Sequence, residues 1–214
     1  MIVEENVEKY IRTISKTNNN DLLEMEKYAF NNKIPIIEPE VRNFLDVIVR
    51  IKKPKKILEI GTAIGYSAIV MKLANENSKI TTIEINEENF LKAKENVEKI
   101  GFNKDIHCIL GDANDVLDLL EEKYDLIFMD AAKGQYINYF EKSIDKLDID
   151  GILISDNILF KGMVATEEYK KNRHRKITIV KRLDQYIELL MNDEKLCTSI
   201  IPIDDGMSIT YRKH

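Results

Sequence analysis

The chain of 214 residues is poor in several residue types that mark particular classes of protein. Its two cysteines, Cys108 and Cys197, are too few for a disulfide framework or a cysteine-bound metal site. Both lie in apolar, strand-like runs, which predicts buried thiols in a reducing cytoplasm. No apolar run approaches the roughly 20 residues that a membrane-spanning helix requires. The run Met1–Glu5 lacks the basic and then apolar order of a signal peptide.

A net charge of −5 argues against nucleic acid as a partner, but this average hides one basic segment. From Lys161 to Arg182 there are eight lysines and arginines against two glutamates, a local charge of +6. Such an excess is typical of proteins that bind polyanions. A solvated helix face gives the same pattern, so charge alone leaves both interpretations open.

The first 53 residues have the apolar spacing of helices, and we interpret them as the helical extension of a single domain, 1–214. The run Asn18-Asn19-Asn20-Asp21 is a turn-and-cap cluster in which Asp21 is expected to cap the second helix. Pro39 suits the first turn of a third helix, and Pro54 ends that helix.

From Lys56 onward, short apolar runs alternate with helical patterns, which is typical of an α/β fold. Strands that are apolar throughout indicate a mostly parallel sheet with helices on both faces. The predicted strands are Ile57–Ile60, Ile80–Ile85, Ile106–Leu110, Leu126–Met129, Ile152–Ile154, Leu196–Ile201 and Met207–Tyr211. The predicted helices are Tyr66–Ala74, Glu87–Ile100, Asn114–Glu121, Gln135–Leu147 and about Lys176–Met191. Gly101 is placed to end the second of these helices, and Asp204-Asp205-Gly206 indicates an antiparallel last pair of strands.

The run Ile57–Ser67 has the pattern of a strand, a glycine turn and the start of a helix. Its glycines, Gly61 and Gly65, are four residues apart, which fits neither the dinucleotide fingerprint nor the P-loop. A turn of this kind suits a nucleoside with an amino-acid tail, whose carboxylate Ser67 and free helix amides can bind. Glu84, after the second strand, stands where a ribose diol is bound, and Gly111-Asp112-Ala113 where an adenine ring is flanked. A surface charge or a helix cap explains each of them equally well when taken alone.

Asp130, Asp156 and Asn157 follow two further predicted strands, and together they offer three oxygen ligands. Hard oxygen donors select Mg²⁺ or Mn²⁺ over zinc, and the three histidines of the chain are isolated. Lys133, three residues after Asp130, is placed to accept a proton from a hydroxyl that such an ion activates. The alternatives are that the Asp156-Asn157 pair only caps a turn and that Lys133 is a solvated charge.

Together these residues resemble the class I S-adenosylmethionine-dependent methyltransferases, and among them the cation-dependent O-methyltransferases related to catechol and caffeoyl-CoA methyltransferases. The resemblance covers about residues 34–212. It implies a Rossmann-like fold, with a central, mostly parallel sheet of seven strands that ends in an antiparallel hairpin. It also implies a homodimer, and it gives the catalytic roles to Asp130 and Lys133. The residues implied to contact S-adenosylmethionine are Ile37, Glu59, Gly61, Gly65, Ser67, Glu84, Ala113 and Asp130.

Two longer phrases, Phe128–Tyr136 and Ser155–Gly162, resemble the bacterial tRNA 5-hydroxyuridine methyltransferases. That resemblance implies transfer of a methyl group to the 5-hydroxyl of the wobble nucleoside, which gives 5-methoxyuridine. The chemistry is consistent, because the 5-hydroxyl and the adjacent C4 carbonyl form a vicinal oxygen pair that can chelate a cation as a catechol does.

The basic segment follows the predicted metal ligands directly, so the anticodon loop of tRNA is the expected partner. We expect Arg173, Arg175 and Lys176 to contact its phosphates. A wobble base must leave its stack to reach a buried site, where an aromatic side chain can receive it. The aromatic residues in question are Tyr136, Tyr139 and Phe160.

Two other functions remain open. A small-molecule O-methyltransferase of the catechol or caffeoyl type would use the same cofactor, metal and base. A non-catalytic module that binds the cofactor is the remote alternative, and the presence of both Asp130 and Lys133 argues against it.

Overall fold

The computed structural model describes residues 3–166 and 175–214, and in this part of the chain seven strands form one sheet. The strands are β1 (Lys56–Ile60), β2 (Lys79–Glu84), β3 (Ile106–Leu110), β4 (Tyr124–Met129), β5 (Leu147–Ser155), β6 (Leu196–Ile201) and β7 (Met207–Arg212). Their order in the sheet is β3-β2-β1-β4-β5-β7-β6. Strands β1 to β5 run parallel, and β7 pairs antiparallel with both β5 and β6. This confirms the predicted fold class and the antiparallel hairpin.

The helices lie on both faces of the sheet. They are α1 (Glu5–Ile14), α2 (Asn20–Asn32), α3 (Pro39–Lys52), α4 (Tyr66–Ala74), α5 (Glu87–Lys99), α6 (Ala113–Leu119), α7 (Tyr136–Ser143) and α8 (Arg175–Asn192). Short 3₁₀ turns stand at Lys133–Gln135, Ile144–Lys146 and Met163–Ala165. None of the helices in the described part of the chain is both long and apolar enough to cross a membrane. Of the predicted RNA contacts, Arg173 lies outside the described residues, and Arg175 and Lys176 begin α8.

Apolar side chains fill the space on each face of the sheet. Successive residues of β1 point to opposite faces, as strand geometry requires. Ile57 and Phe128 pack under α2, α3, α4 and α5, whereas Leu58 and Ile127 pack under α6, α7 and α8. All four side chains are buried. Helices α2 and α3 thus share a core with the sheet, while the single-domain interpretation of 1–214 stays a prediction.

Helix α1 has no buried residue and is tied to the rest of the protein by charge. The guanidinium of Arg12 pairs with Glu8 and, beyond the helix, with Glu38 at 3.4 Å, Glu40 at 2.9 Å and Asp204 at 2.9 Å. One cation therefore joins α1 to the start of α3 and to the β6–β7 turn.

Three local predictions were wrong. Asn19, not Asp21, caps α2, because Asn19 has extended backbone angles and its side chain accepts from the amide of Leu22, whereas Asp21 is already helical. The stretch 135–147 is not one helix, since Ser143 ends α7 and Leu147 already begins β5. Neither cysteine is buried: Cys197 is exposed because it follows buried Leu196 in β6 and so points to the opposite face. Cys108 is partly buried, and this burial raises its pKa to about 11.

Candidate active site

A cleft of about 1000 Å³ opens where β1, β2, β4 and β5 end. Strand β1 lies between β2 and β4, so the strand order reverses at this point. Parallel sheets bind ligands at such reversals because the loops on the two sides diverge and leave a crevice. The cleft is at the upper end of the usual range for ligand sites, roughly 300–1000 Å³, which leaves room for a cofactor and a second ligand.

Gly61 lets the loop after β1 pass against the end of β4. Its φ is +101°, and a Cβ atom placed there would lie 1.9 Å from the carbonyl oxygen of Asp130. The amide of Gly61 donates to the carbonyl of Ile83 at 3.0 Å, and the amide of Asp130 donates to Ile60 at 2.9 Å. Any side chain at residue 61 would separate the two loops, so the glycine fixes the width of the cleft.

Glu59 is fully buried beneath the glycine turn. Its carboxylate accepts from Ser67 Oγ and Thr82 Oγ1, each at 2.5 Å, and burial raises its pKa to about 8. Ser67 lines the cleft, but Glu59 and Gly65 lie outside its lining. Gly65, with φ +82°, instead precedes the first residue of α4. Direct contact of these two residues with a cofactor therefore stays a prediction, and the structure places Glu59 as the support of Ser67.

Glu84 lies at the end of β2 and is held by backbone amides on both of its oxygens. They accept from Ala63 and from Asn86, each at 2.8 Å. The side chain lines the cleft together with Ile37 and Ala113, as the sequence analysis expected of cofactor contacts. A carboxylate oriented in this way can accept further hydrogen bonds from hydroxyl groups in the cleft.

Asp130, Asp156 and Asn157 all line one side of the same cleft. Strands β4 and β5 are neighbours, and the amide of Asp156 donates to the carbonyl of Met129 at 2.9 Å. Burial raises the pKa of Asp130 to about 6, although nearby Lys133 acts against this rise. Burial and the carboxylate of Asp130 hold the pKa of Asp156 well above its usual range. Two converging carboxylates and an amide fit a hard divalent cation, which would supply the positive charge that this place lacks.

Lys133 lies at the mouth of the cleft on the 3₁₀ turn that follows β4. Its Nζ is 3.3 Å from Asp205 Oδ2 and 5.4 Å from the ring centre of Phe160. A second structural contact holds the same turn, because Arg182 of α8 donates to the carbonyl of Gly134 at 2.7 Å. Lys133 thus lies beside Asp130 and Asp156, while its ammonium is paired with Asp205.

A model of one protein family, the O-methyltransferases, matches residues 12–213. The chain belongs to the O-methyltransferase family. Caffeoyl-CoA O-methyltransferase of Stellaria longipes is 30% identical over 186 residues, which are 81% of this chain and 75% of that relative.

Two crystal structures resemble this O-methyltransferase along nearly its whole length. One is a Staphylococcus aureus protein provisionally named a caffeoyl-CoA O-methyltransferase, with 31% identity, a TM-score of 0.88, and 97% of this chain and 100% of that chain covered. The other is a methyltransferase of Podospora anserina with bound SAH, with 25% identity, a TM-score of 0.86, and 98% and 95% covered. The predicted family is thereby confirmed, and the roles of individual residues stay predictions.

Sequence reasoning about this O-methyltransferase missed Asp204 and Asp205, which it interpreted only as turn residues. Asp204 lines the cleft and Asp205 pairs with Lys133. Glu8, Glu40 and Asp204 bring carboxylate oxygens within 4.8 Å of one another, an arrangement that can hold a metal ion. Arg12 already pairs with all three, so its guanidinium supplies the positive charge there.

Replacing Glu59 by Gln tests the buried carboxyl group of this O-methyltransferase. Because the pKa of Glu59 is about 8 in the folded protein and 4.5 ordinarily, the folded state holds a proton that the unfolded chain loses. The free energy of unfolding should therefore fall as pH rises through this window. In Glu59→Gln the free energy of unfolding should decrease less over the same pH range. The difference should be on the order of a few kcal/mol, since one pKa unit corresponds to about 1.4 kcal/mol.

Urea denaturation from about pH 5 to about pH 9 measures the effect. The exposed variant Glu98→Gln is the matched control and should keep the wild-type slope. Parallel curves for wild type and Glu59→Gln would show that Glu59 is ionised in the folded protein throughout.

Proposed function

We propose that the protein transfers the methyl group of S-adenosylmethionine to the 5-hydroxyl of 5-hydroxyuridine at the wobble position of tRNA. One observation carries the proposal. In one cleft of an O-methyltransferase, Lys133 lies beside the oxygen ligands of Asp130, Asp156 and Asn157. Such a site suits a hydroxyl acceptor that needs both positioning and loss of a proton.

The cofactor would lie on the β1–β2 side of the cleft. Gly61 lines this side and lets the loop after β1 lie against the backbone of Asp130, and Glu84 is oriented to accept from the ribose hydroxyls. Ser67, at the start of α4, lies beside helix amides that suit the carboxylate of the amino-acid tail. The SAH bound to the Podospora anserina relative supports a cofactor of this class.

The acceptor would lie on the β4–β5 side, where Asp130, Asp156 and Asn157 would hold Mg²⁺ or Mn²⁺. When bound, such an ion lowers the pKa of a hydroxyl and fixes its orientation. Lys133, with its amine deprotonated beforehand, would receive the proton of that hydroxyl and become the ammonium that pairs with Asp205. Asp156 is 2% exposed, so its carboxylate is shielded from bulk water.

A polyanionic acceptor is favoured by the charge around this side of the cleft. Lys161 directly follows the loop that carries Asn157, and Lys181 and Arg182 stand exposed on α8, which packs against the turn of Lys133. Of the aromatic residues expected to receive the base, Tyr136 is buried and donates to the carbonyl of Asp156 at 2.8 Å. Tyr139 lines the cleft and Phe160 is partly exposed beside Lys133, so both remain candidates for stacking.

Methylation of a small catechol-type or caffeoyl-type acceptor is the second candidate function. The identity with the Stellaria longipes caffeoyl-CoA O-methyltransferase favours it, and the oxygen ligands suit either acceptor. The two functions differ in what the basic segment would bind.

Methylation of purified substrates separates the two candidates. We expect labelled methyl groups to enter tRNA that contains 5-hydroxyuridine, and not tRNA with uridine at the wobble position, because uridine lacks the acceptor oxygen. Faster transfer to caffeoyl-CoA or catechol than to hydroxyuridine tRNA would overturn the tRNA proposal. Mass spectrometry of tRNA from cells without the gene is the complementary measurement, with methoxyuridine lost and hydroxyuridine gained.

Removal of the divalent ion should abolish transfer. A chelator should stop turnover, and Mg²⁺ or Mn²⁺ should restore it. Asp156→Asn should lower kcat by on the order of 100-fold or more. The same variant should be at least as stable as wild type, because it removes a like charge from beside Asp130. Asp118→Asn, at an exposed acid, is the control. Full turnover in chelator would refute the metal for any acceptor.

Neutralising Arg173, Arg175 and Lys176 together should weaken methylation of tRNA and make it less dependent on salt, since fewer counterions are released. Cofactor affinity, measured by calorimetry, should stay unchanged. The control neutralises three exposed lysines that stand just before β3, β4 and β6, where strands begin and away from the strand ends that form the cleft, namely Lys104, Lys123 and Lys195. If the first triple variant keeps the wild-type kinetics and salt dependence, the basic segment has no part in tRNA binding.

A further inference from the structure

The β6–β7 turn packs against the loop that follows β5. The amide of Ile158 donates to the carbonyl of Gly206 at 2.8 Å, and the amide of Leu159 donates to the carbonyl of Asp205 at 3.0 Å. A Cβ atom on Gly206 would lie 2.3 Å from Leu159 Cγ, so only glycine allows this approach. The turn is therefore a fixed neighbour of the loop that carries Asn157.

That loop is held in an unfavourable backbone conformation. Asn157, Phe160 and Lys161 have φ values of 56°, 46° and 56°, in the left-handed region that non-glycine residues avoid. Such a conformation is energetically unfavourable and persists only where surrounding contacts impose it. One of those contacts comes from Asp205, whose Oδ1 accepts from the backbone amide of Lys161.

The other carboxylate oxygen of Asp205 pairs with the side chain of Lys133 at 3.3 Å. Asp205 is 15% exposed and Lys133 is 25% exposed, whereas the surface pair Lys56–Glu122 is 48% and 59% exposed. The pair at the cleft is therefore less screened by water than an ordinary surface pair. One carboxylate thus contacts both the loop of a predicted metal ligand and the predicted base.

We propose that Asp205 is a positioning residue that holds the ammonium of Lys133 and the 157–161 loop in register at the acceptor side of the cleft. The proposal rests on the proposed function, in which Lys133 takes the proton of the acceptor hydroxyl. The adjacent Asp204 pairs with Arg12 and makes no corresponding contact with Lys133 among the described ion pairs. The two acids of the turn thus have separate partners.

Two variants separate the two contacts of Asp205. Asp205→Asn keeps an oxygen that can accept from the amide of Lys161 but loses the charge that holds Lys133. Asp205→Ala loses both contacts. Glu122→Gln, which breaks the surface pair with Lys56, is the matched control.

The first measurement uses the protein without cofactor, metal or substrate, so it does not depend on the acceptor. Amine-reactive labelling of Lys133, followed by mass spectrometry, should accelerate roughly two- to fivefold in both Asp205 variants, as expected for release of an ion pair. Labelling of Lys133 should not change in Glu122→Gln. Hydrogen exchange at the Lys161 amide should stay slow in Asp205→Asn and accelerate in Asp205→Ala. Unchanged labelling of Lys133 in both variants overturns the proposal.

The second measurement uses the complete enzyme with the acceptor that it methylates. Asp205→Asn should lower kcat by roughly 10- to 100-fold, with the KM for the cofactor within about twofold of wild type. A purely structural role would instead change both parameters and the urea midpoint together, and that result overturns the proposal. If no acceptor is methylated by wild type, the proposed function fails, and the labelling experiment alone decides whether Asp205 holds Lys133.

Discussion

The close approach of two loop backbones, after β1 and after β4, is the constraint on which the site depends. It exists because residue 61 has no side chain, since a Cβ atom there would lie within 1.9 Å of a carbonyl oxygen of the other loop. The parallel ladder continues to this point, with the amide of Asp130 donating to Ile60. Because backbone hydrogen bonds hold both loops, the β1–β2 side and the acidic side of the cleft share one wall.

The residues on the acidic side of the cleft do not favour the stability of the folded protein. Asp130 is partly buried and Asp156 is buried, and both have raised pKa values because burial penalises their anions. The proposed cation site would explain why two carboxylates are present where apolar or amide side chains would be more stable. Likewise, the left-handed backbone conformation of Asn157 is unfavourable by itself and is maintained by neighbouring contacts.

Much of this architecture could be predicted because the relevant signals are local. Apolar runs indicate the strands, and parallel strands end on the same side of the sheet, so polar residues after β1, β2, β4 and β5 lie close together.

The remaining features depend on partners far away in the sequence. Asp205 contacts Lys133 across 72 positions and Asp204 contacts Arg12 across 192, and no local pattern distinguishes these acids from other turn residues. The burial of Glu59 was missed for the same reason, because it depends on hydroxyls from α4 and β2.

The attachment of α1 through the ion pairs of Arg12 has a consequence for divergence within the family. The helix places no side chain in the core, and Arg12 reaches the cleft rim through Glu38 and Asp204. Substitutions along the outer surface of α1 therefore carry little thermodynamic penalty. The surface of this helix can therefore diverge between relatives while the sheet and the residues of the cleft stay unchanged.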